Sequence, residues 1–166
     1  MDESIALVEF SKQSRSARVD TVAYAHVDVG LKIRTPHRCG DAHSNVARNA
    51  AFGVGALFSA AGPAFARQHI PDALHALYPL VTKADGAPPE RAAADRAAAD
   101  NALAAMCRIA QADLEAAPVD QVLALVLPKL PLAEDAGENA TVARLLLALA
   151  AATTCARCEP VLVSCT

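Results

Sequence analysis

Val46-Ala-Arg-Asn49-Ala50-Ala-Phe-Gly-Val-Gly-Ala-Leu57 returns in outline as Ala98-Ala-Asp-Asn101-Ala102-Leu-Ala-Ala-Met-Cys-Arg-Ile109, 52 residues further along the chain. Both copies keep Asn-Ala, and both place an apolar residue eight positions after the Asn. A second pattern follows each. Ile70, Leu74 and Leu77 precede Pro79 in the first unit, and Val119, Leu123 and Val126 precede Pro128 in the second, at an offset of 49 residues. Apolar residues at i, i+4 and i+7 describe one face of a helix. Two units of helix, turn, helix are the simplest account, and recurrence at this spacing is the mark of a stacked helical array.

Composition agrees. Of 166 residues, 40 are Ala and 18 are Leu, so about one in three is a strong helix former. Aromatics make up 4 % and Trp is absent, which excludes the exposed ring platforms on which single-strand nucleic-acid readers stack bases. The net charge of −3 excludes a basic nucleic-acid footprint over the whole chain. Charge is uneven: residues 111–166 carry three Lys/Arg against seven Asp/Glu, a balance that favours a basic partner. The start, Met1-Asp2-Glu3, is acidic where a secretory leader is basic. The uncharged run from Asn49 to Ala66 is broken by Gly53, Gly55, Gly62 and Pro63 and makes a poor membrane span. With five Cys in no regular framework, the expectation is a soluble chain with reduced thiols in cytoplasm or nucleus.

Local signals set the expected boundaries. Asn45 is placed to cap a helix from Val46, Gly62-Pro63 ends it, and a second helix runs from Phe65 to Thr82, with Pro79 expected to end it early or kink it. A third covers Glu90 to Gln111; its opening is too poor in large apolar residues to be buried on all sides, so its first turns are expected in solvent. Pro118 begins a short helix to Lys129, Leu130 to Gly137 is a connecting loop, and Asn139 to Thr153 is a further helix, with a last one expected from Arg157. Residues 1–44 do not join this scheme. Val19 to Ile33 alternates like a strand, yet a helix is expected there, because a lone strand leaves its backbone groups without partners.

Taken in order, Asn45 to Leu57, Gly62-Pro63, the helix ended by Pro79, Asp100-Asn101-Ala102, and Val126-Leu-Pro128-Lys-Leu-Pro-Leu-Ala-Glu134-Asp135 with Glu138 resemble the C-terminal HEAT repeats of importin-beta family nuclear transport receptors, and among these the large importins that carry ribosomal proteins and histones. The resemblance spans residues 45–166, in three units of about 45–88, 89–132 and 133–166. It implies an all-α HEAT-repeat α-solenoid of about three helix pairs, cut from a longer receptor or shortened from one. It further implies first helices on the convex side and second helices on the concave side, where cargo is held. Carried over, the concave face presents Arg67, Gln68, Asp72, His75, Asp120 and Gln121, and the adjacent loop adds Glu134, Asp135 and Glu138. Asn49 and Asn101 resemble the asparagines that tie neighbouring HEAT helices. The implied partner is a Lys/Arg-rich protein of ribosomal or histone type. The family binds the GTPase Ran through N-terminal repeats that nothing here matches. The other reading of the same array is a HEAT scaffold with no transport role.

Catalytic and metal chemistry finds little footing. Cys155-Ala-Arg-Cys158 is a CxxC, and His37, Cys39 and His43 form a second group, but no second CxxC exists and the two groups stand at opposite ends of an array. Cys107 reads as a small buried hydrophobe, and His69 and His75 as half-exposed helix residues. Gly53-Val-Gly55 falls inside a helix, where its use is to let a neighbour come close. No nucleotide, hydrolase or zinc-protease motif occurs. The expectation is a binding protein without catalysis, cofactor or metal.

Overall fold

The computed structural model describes residues 38–40, 43–86, 88–89 and 91–158, with the side chains of 155–158 left aside. They form an all-α domain of five helices, with no strand among the described residues. These are α1 (Ser44–Ala61), α2 (Pro63–Ala84), α3 (Ala92–Ala112), α4 (Val119–Val126) and α5 (Asn139–Cys158), with short 3₁₀ turns at Leu127–Lys129 and Ala136–Glu138. The expectations for Val19–Ile33 and for residues beyond Cys158 lie outside the described residues. Arg157 falls within α5, so the helix expected to begin there does not begin at that point.

Two helix boundaries differ from the sequence reading for visible reasons. α1 starts one residue before Val46's expected cap, at Ser44, behind His43, which gives no side-chain capping bond. Ser44 is turned to α3 instead, where its hydroxyl donates to Asp95. α2 runs unbroken through Pro71 and Pro79. Each proline removes the donor for a carbonyl four residues back, here those of Arg67 and His75, and all four residues are exposed, so water can serve those carbonyls. Gly62 carries the break between α1 and α2. Its φ of 81° is a conformation that side chains resist, and Pro63 follows at the first position of α2, where a missing N–H costs nothing.

The main correction concerns α3. Its first turn does contain exposed Ala93, Ala94 and Arg96, but Asp95 is buried and every residue from Ala98 to Cys107 is buried, nearly three full turns. The helix whose first turns are expected in solvent keeps exposed residues only there and is otherwise the centre of the domain. α1, α2, α4 and α5 all pack against it. Alanine makes this possible, because a helix of small side chains lets several neighbours close in at once. Large residues from the neighbours supply the core: Phe58 of α1, Leu77 of α2, Val122 and Val126 of α4, and Val142 and Leu145 of α5, around Leu103, Met106 and Ile109.

The closest approach is between α1 and α3. A methyl group on Gly55 would stand 2.9 Å from the Cα of Ala105, whereas Gly53 has open space around the same position. The close-approach reading therefore holds for Gly55 and not for Gly53. Ser44 meets Asp95 near both N-termini and Gly55 meets Ala105 further along, so the two helices run side by side in the same direction. Where α1 hands over to α2, Phe58 packs edge-on to Phe65 with centroids 5.5 Å apart, and Phe65 lies 4.5 Å from His69. His69 is buried there, not half exposed.

The two glycines give opposite expectations. Gly55→Ala forces backbone apart and should lower unfolding free energy by about 1–3 kcal/mol, while Gly53→Ala should raise it by about 0.5–1 kcal/mol through helix propensity. Urea unfolding followed by circular dichroism measures both; equal effects at the two sites would contradict the packing described.

Candidate functional site

Ser44, Arg48 and Phe52 lie four residues apart on α1 and so share one face. Each meets a polar or charged group of α3 or of the segment that leads into α5. At the first level, Asp95 accepts the Ser44 hydroxyl and lies 3.6 Å from Lys83 Nζ of α2. At the second, Arg48 Nη2 donates to Asp135 Oδ2 at 2.7 Å, and Asn101 Nδ2 donates to the same oxygen at 2.9 Å and to the Ala97 carbonyl at 3.0 Å. The carboxylate of Asp100 accepts the backbone N–H of Glu134 and of Asp135 at 2.9 and 3.0 Å, and Arg96 pairs with Glu134 at 2.8 Å.

The third level holds the most enclosed ion pair of the three. Arg108 Nη2 reaches both carboxylate oxygens of Glu138, at 2.8 and 2.7 Å, and the two side chains are only 16 % and 10 % exposed. Thr141 donates to Glu138 at 2.8 Å, and Gln111 donates to the Thr141 carbonyl at 3.0 Å. The guanidinium stands 5.3 Å above the ring of Phe52, a cation–π contact that faces the charge where no carboxylate reaches.

Three of the acids assigned to a cargo surface therefore do not stand free. Glu134, Asp135 and Glu138 are held by Arg96, Arg48 and Arg108, and their loop is clamped onto α1 and α3. Arg96 and Glu134 are exposed, Arg48 and Asp135 half-buried, and Arg108 and Glu138 largely enclosed, so the three pairs run from the surface inward. Of the two asparagines, Asn101 joins α3 to this loop, while Asn49 is exposed on α1.

The second helices show a different face. Arg67 near the start of α2 reaches Asp113 at 2.5 Å and Glu115 at 3.3 Å, both just before α4. Asp85, just after α2, pairs with Lys129, just after α4. Ties at both ends make α2 and α4 run in the same direction. Asp113 also accepts the N–H groups of Glu115 and Ala116, at 3.2 and 3.1 Å, which shapes the turn into α4. Asp72 and His75 on α2, and Asp120 and Gln121 on α4, are all exposed, as is Gln68. Asp72 and Asp120 each follow their tie, at Arg67 and Glu115, by five residues, toward the same end of the pair. Among the described residues, no ion pair engages either carboxylate.

Acid strengths follow the geometry. The Ser44 hydroxyl, outweighing burial and helped by Lys83, holds Asp95 below the ordinary carboxylate range. Arg67, outweighing burial and helped by the backbone N–H groups, does the same for Asp113. Burial pushes Asp135 up, but Arg48 and Asn101 more than offset it and leave it low. Burial pushes the Cys39 thiol up to about 11 and Cys107 to about 12, so both are protonated at neutral pH and Cys107 is the buried hydrophobe expected. No group of three or more His, Cys, Asp or Glu gathers among the described residues; His37 and the side chains of Cys155 and Cys158 lie outside them. No helix among the described residues is long and apolar enough to cross a membrane.

No protein-family model, curated protein or solved structure matches the chain.

Two expectations follow. Glu138→Ala leaves Arg108 buried without its acid and should cost about 3 kcal/mol, of which pairing it with Arg108→Met should recover a large part; urea midpoints of the single and double variants decide. Asp95, Asp113 and Asp135 have depressed folded-state values, so their contribution is complete above about pH 4, the unfolded value, and is lost as pH falls through the folded values. Stability should drop steeply below about pH 4 and less steeply in Asp135→Asn, measured by denaturation at each pH.

Proposed function

We propose that this chain is a HEAT-type helical array that binds Lys/Arg-rich protein segments on the face of α2 and α4, as a piece of an importin-beta-like nuclear import receptor working between cytoplasm and nucleus. The observation that carries the reading is the pair Asp72 and Asp120, exposed, unengaged by any ion pair among the described residues, and each five residues past a tie between two co-directional helices. His75 and Gln121 stand one turn or less from them and add donors and acceptors for peptide backbone. The co-directional run of α1 and α3, with α2 and α4 as second members, is the arrangement a paired-helix stack requires. The role is binding without catalysis, and without cofactor or metal.

Exposed carboxylate pairs are each worth about 0–1 kcal/mol, so two of them give steering and modest affinity. That the acids of the 134–138 loop are engaged by arginines favours a second reading, a HEAT scaffold whose partners dock by shape with little help from charge.

Fluorescence anisotropy with labelled basic peptides of ribosomal-protein or histone type separates the two. Transport-type binding should weaken steadily with salt, and Asp72→Lys with Asp120→Lys should weaken it about tenfold. Binding that is absent, or indifferent to salt and to both reversals, would favour the scaffold.

A further inference from the structure

The register shared by the second helices continues from the buried stripe to the outside. At the offset of 49 residues, Leu77 and Val126 are both buried. The next residues, Tyr78 and Leu127, are both 50 % exposed, and Pro79 and Pro128 are exposed beside them. Apolar residues scattered singly over a surface are ordinary. Two at equivalent places in two units, each before a proline, are not scattered.

The prolines add a second feature. Having no N–H, Pro79 and Pro128 deprive the carbonyls of His75 and Ala124 of their helical donor, and these two residues are also exposed and 49 apart. Further back stand the exposed carboxylates, Asp72 six residues before Tyr78 and Asp120 seven before Leu127. Asp72, His75 and Pro79 share one face, as do Asp120, Ala124 and Leu127. Both units therefore present the same order: carboxylate, backbone acceptor, apolar side chain. The helical rise sets the two ends about 9 Å apart in the first and about 10 Å in the second. Past the apolar residues the charges are paired, Asp85 with Lys129 and Lys83 with Asp95, so the unengaged carboxylates lie on one side of them.

We propose that the segment bound on α2 and α4 is basic and apolar together, with a large apolar side chain seated against Tyr78-Pro79 or Leu127-Pro128 and Lys/Arg residues meeting Asp72 or Asp120. Three residues of extended chain span about 9–10 Å, so the apolar residue stands three from the basic ones. Between them, the carbonyls of His75 and Ala124 accept N–H groups of the bound segment. Carboxylates give approach and orientation, and the apolar contact adds affinity that salt does not screen. This rests on the reading of α2 and α4 as a face for basic segments and adds the apolar requirement to it.

Anisotropy titrations of the full chain with three labelled peptides test it. The first has Leu at its centre and a Lys-Arg pair three residues to either side, the second has Ser for that Leu, and the third keeps Leu but has Gln for every Lys and Arg. The first should bind about tenfold tighter than the second, and the third more weakly than either. In the double variant Tyr78→Ser with Leu127→Ser, the first two should bind about equally. Equal binding of these two to the wild-type chain overturns the proposal and leaves the basic-segment reading standing, as does an advantage of Leu that survives in the double variant. Tightest binding of the Gln peptide overturns it in favour of apolar docking alone. If none of the three binds, this proposal and the reading beneath it fall together.

Discussion

The contact of Gly55 with Ala105 is the constraint on which the rest of the domain is built. With side chains of one carbon or none at the crossing, α1 and α3 come close enough for the longer side chains on either side of it to reach across. Ser44 then meets Asp95, Arg48 meets Asp135, and Phe52 lies under Arg108. A larger residue at the crossing would push the helices apart, and hydrogen bonds weaken steeply as they lengthen. The same economy of volume lets α3 take neighbours all round, which a Leu-rich helix of equal length could not do without leaving gaps.

The polar seam is the opposite kind of interaction, and it specifies where packing permits. Alanine surfaces are smooth and tolerate sliding. A bidentate Arg108–Glu138 pair with its threonine and glutamine partners does not, since a shift by one residue strands both charges in a poorly hydrated place. Small residues thus set how near the helices lie, and the charged pairs set their register. Charged ties also join α2 to the segments flanking α4, Arg67 with Asp113 and Asp85 with Lys129, while Asp72 and Asp120 stand exposed.

Much of the fold was legible in the amino-acid sequence, because the features concerned are local or periodic. The Asn-Ala copies 52 residues apart reappear as co-directional α1 and α3, and Gly62-Pro63 breaks the chain where a positive φ and a missing N–H suggest. What could not be read was anything decided by a distant partner. Ser44 pairs with an acid 51 residues away, and Asp135 answers an arginine 87 residues away. Glu134 and Asp135 in the connecting loop, and Glu138 just after it, gave no sign of their arginines for that reason. Pro79 looked like a terminator because sequence does not show that His75, whose carbonyl it orphans, faces water. The central burial of α3 was missed by weighing its own side chains, when the apolar mass that covers it comes from its neighbours.

The Arg48–Asp135 bond has a mechanical meaning. Asp135 belongs to the connector entering α5, and Arg48 to α1, so the bond reaches past α3 and ties that connector to α1. Arrays in which each unit touches only the next can peel from an end, one unit at a time. Here the bond joins segments 87 residues apart, so loosening either end should slacken the other.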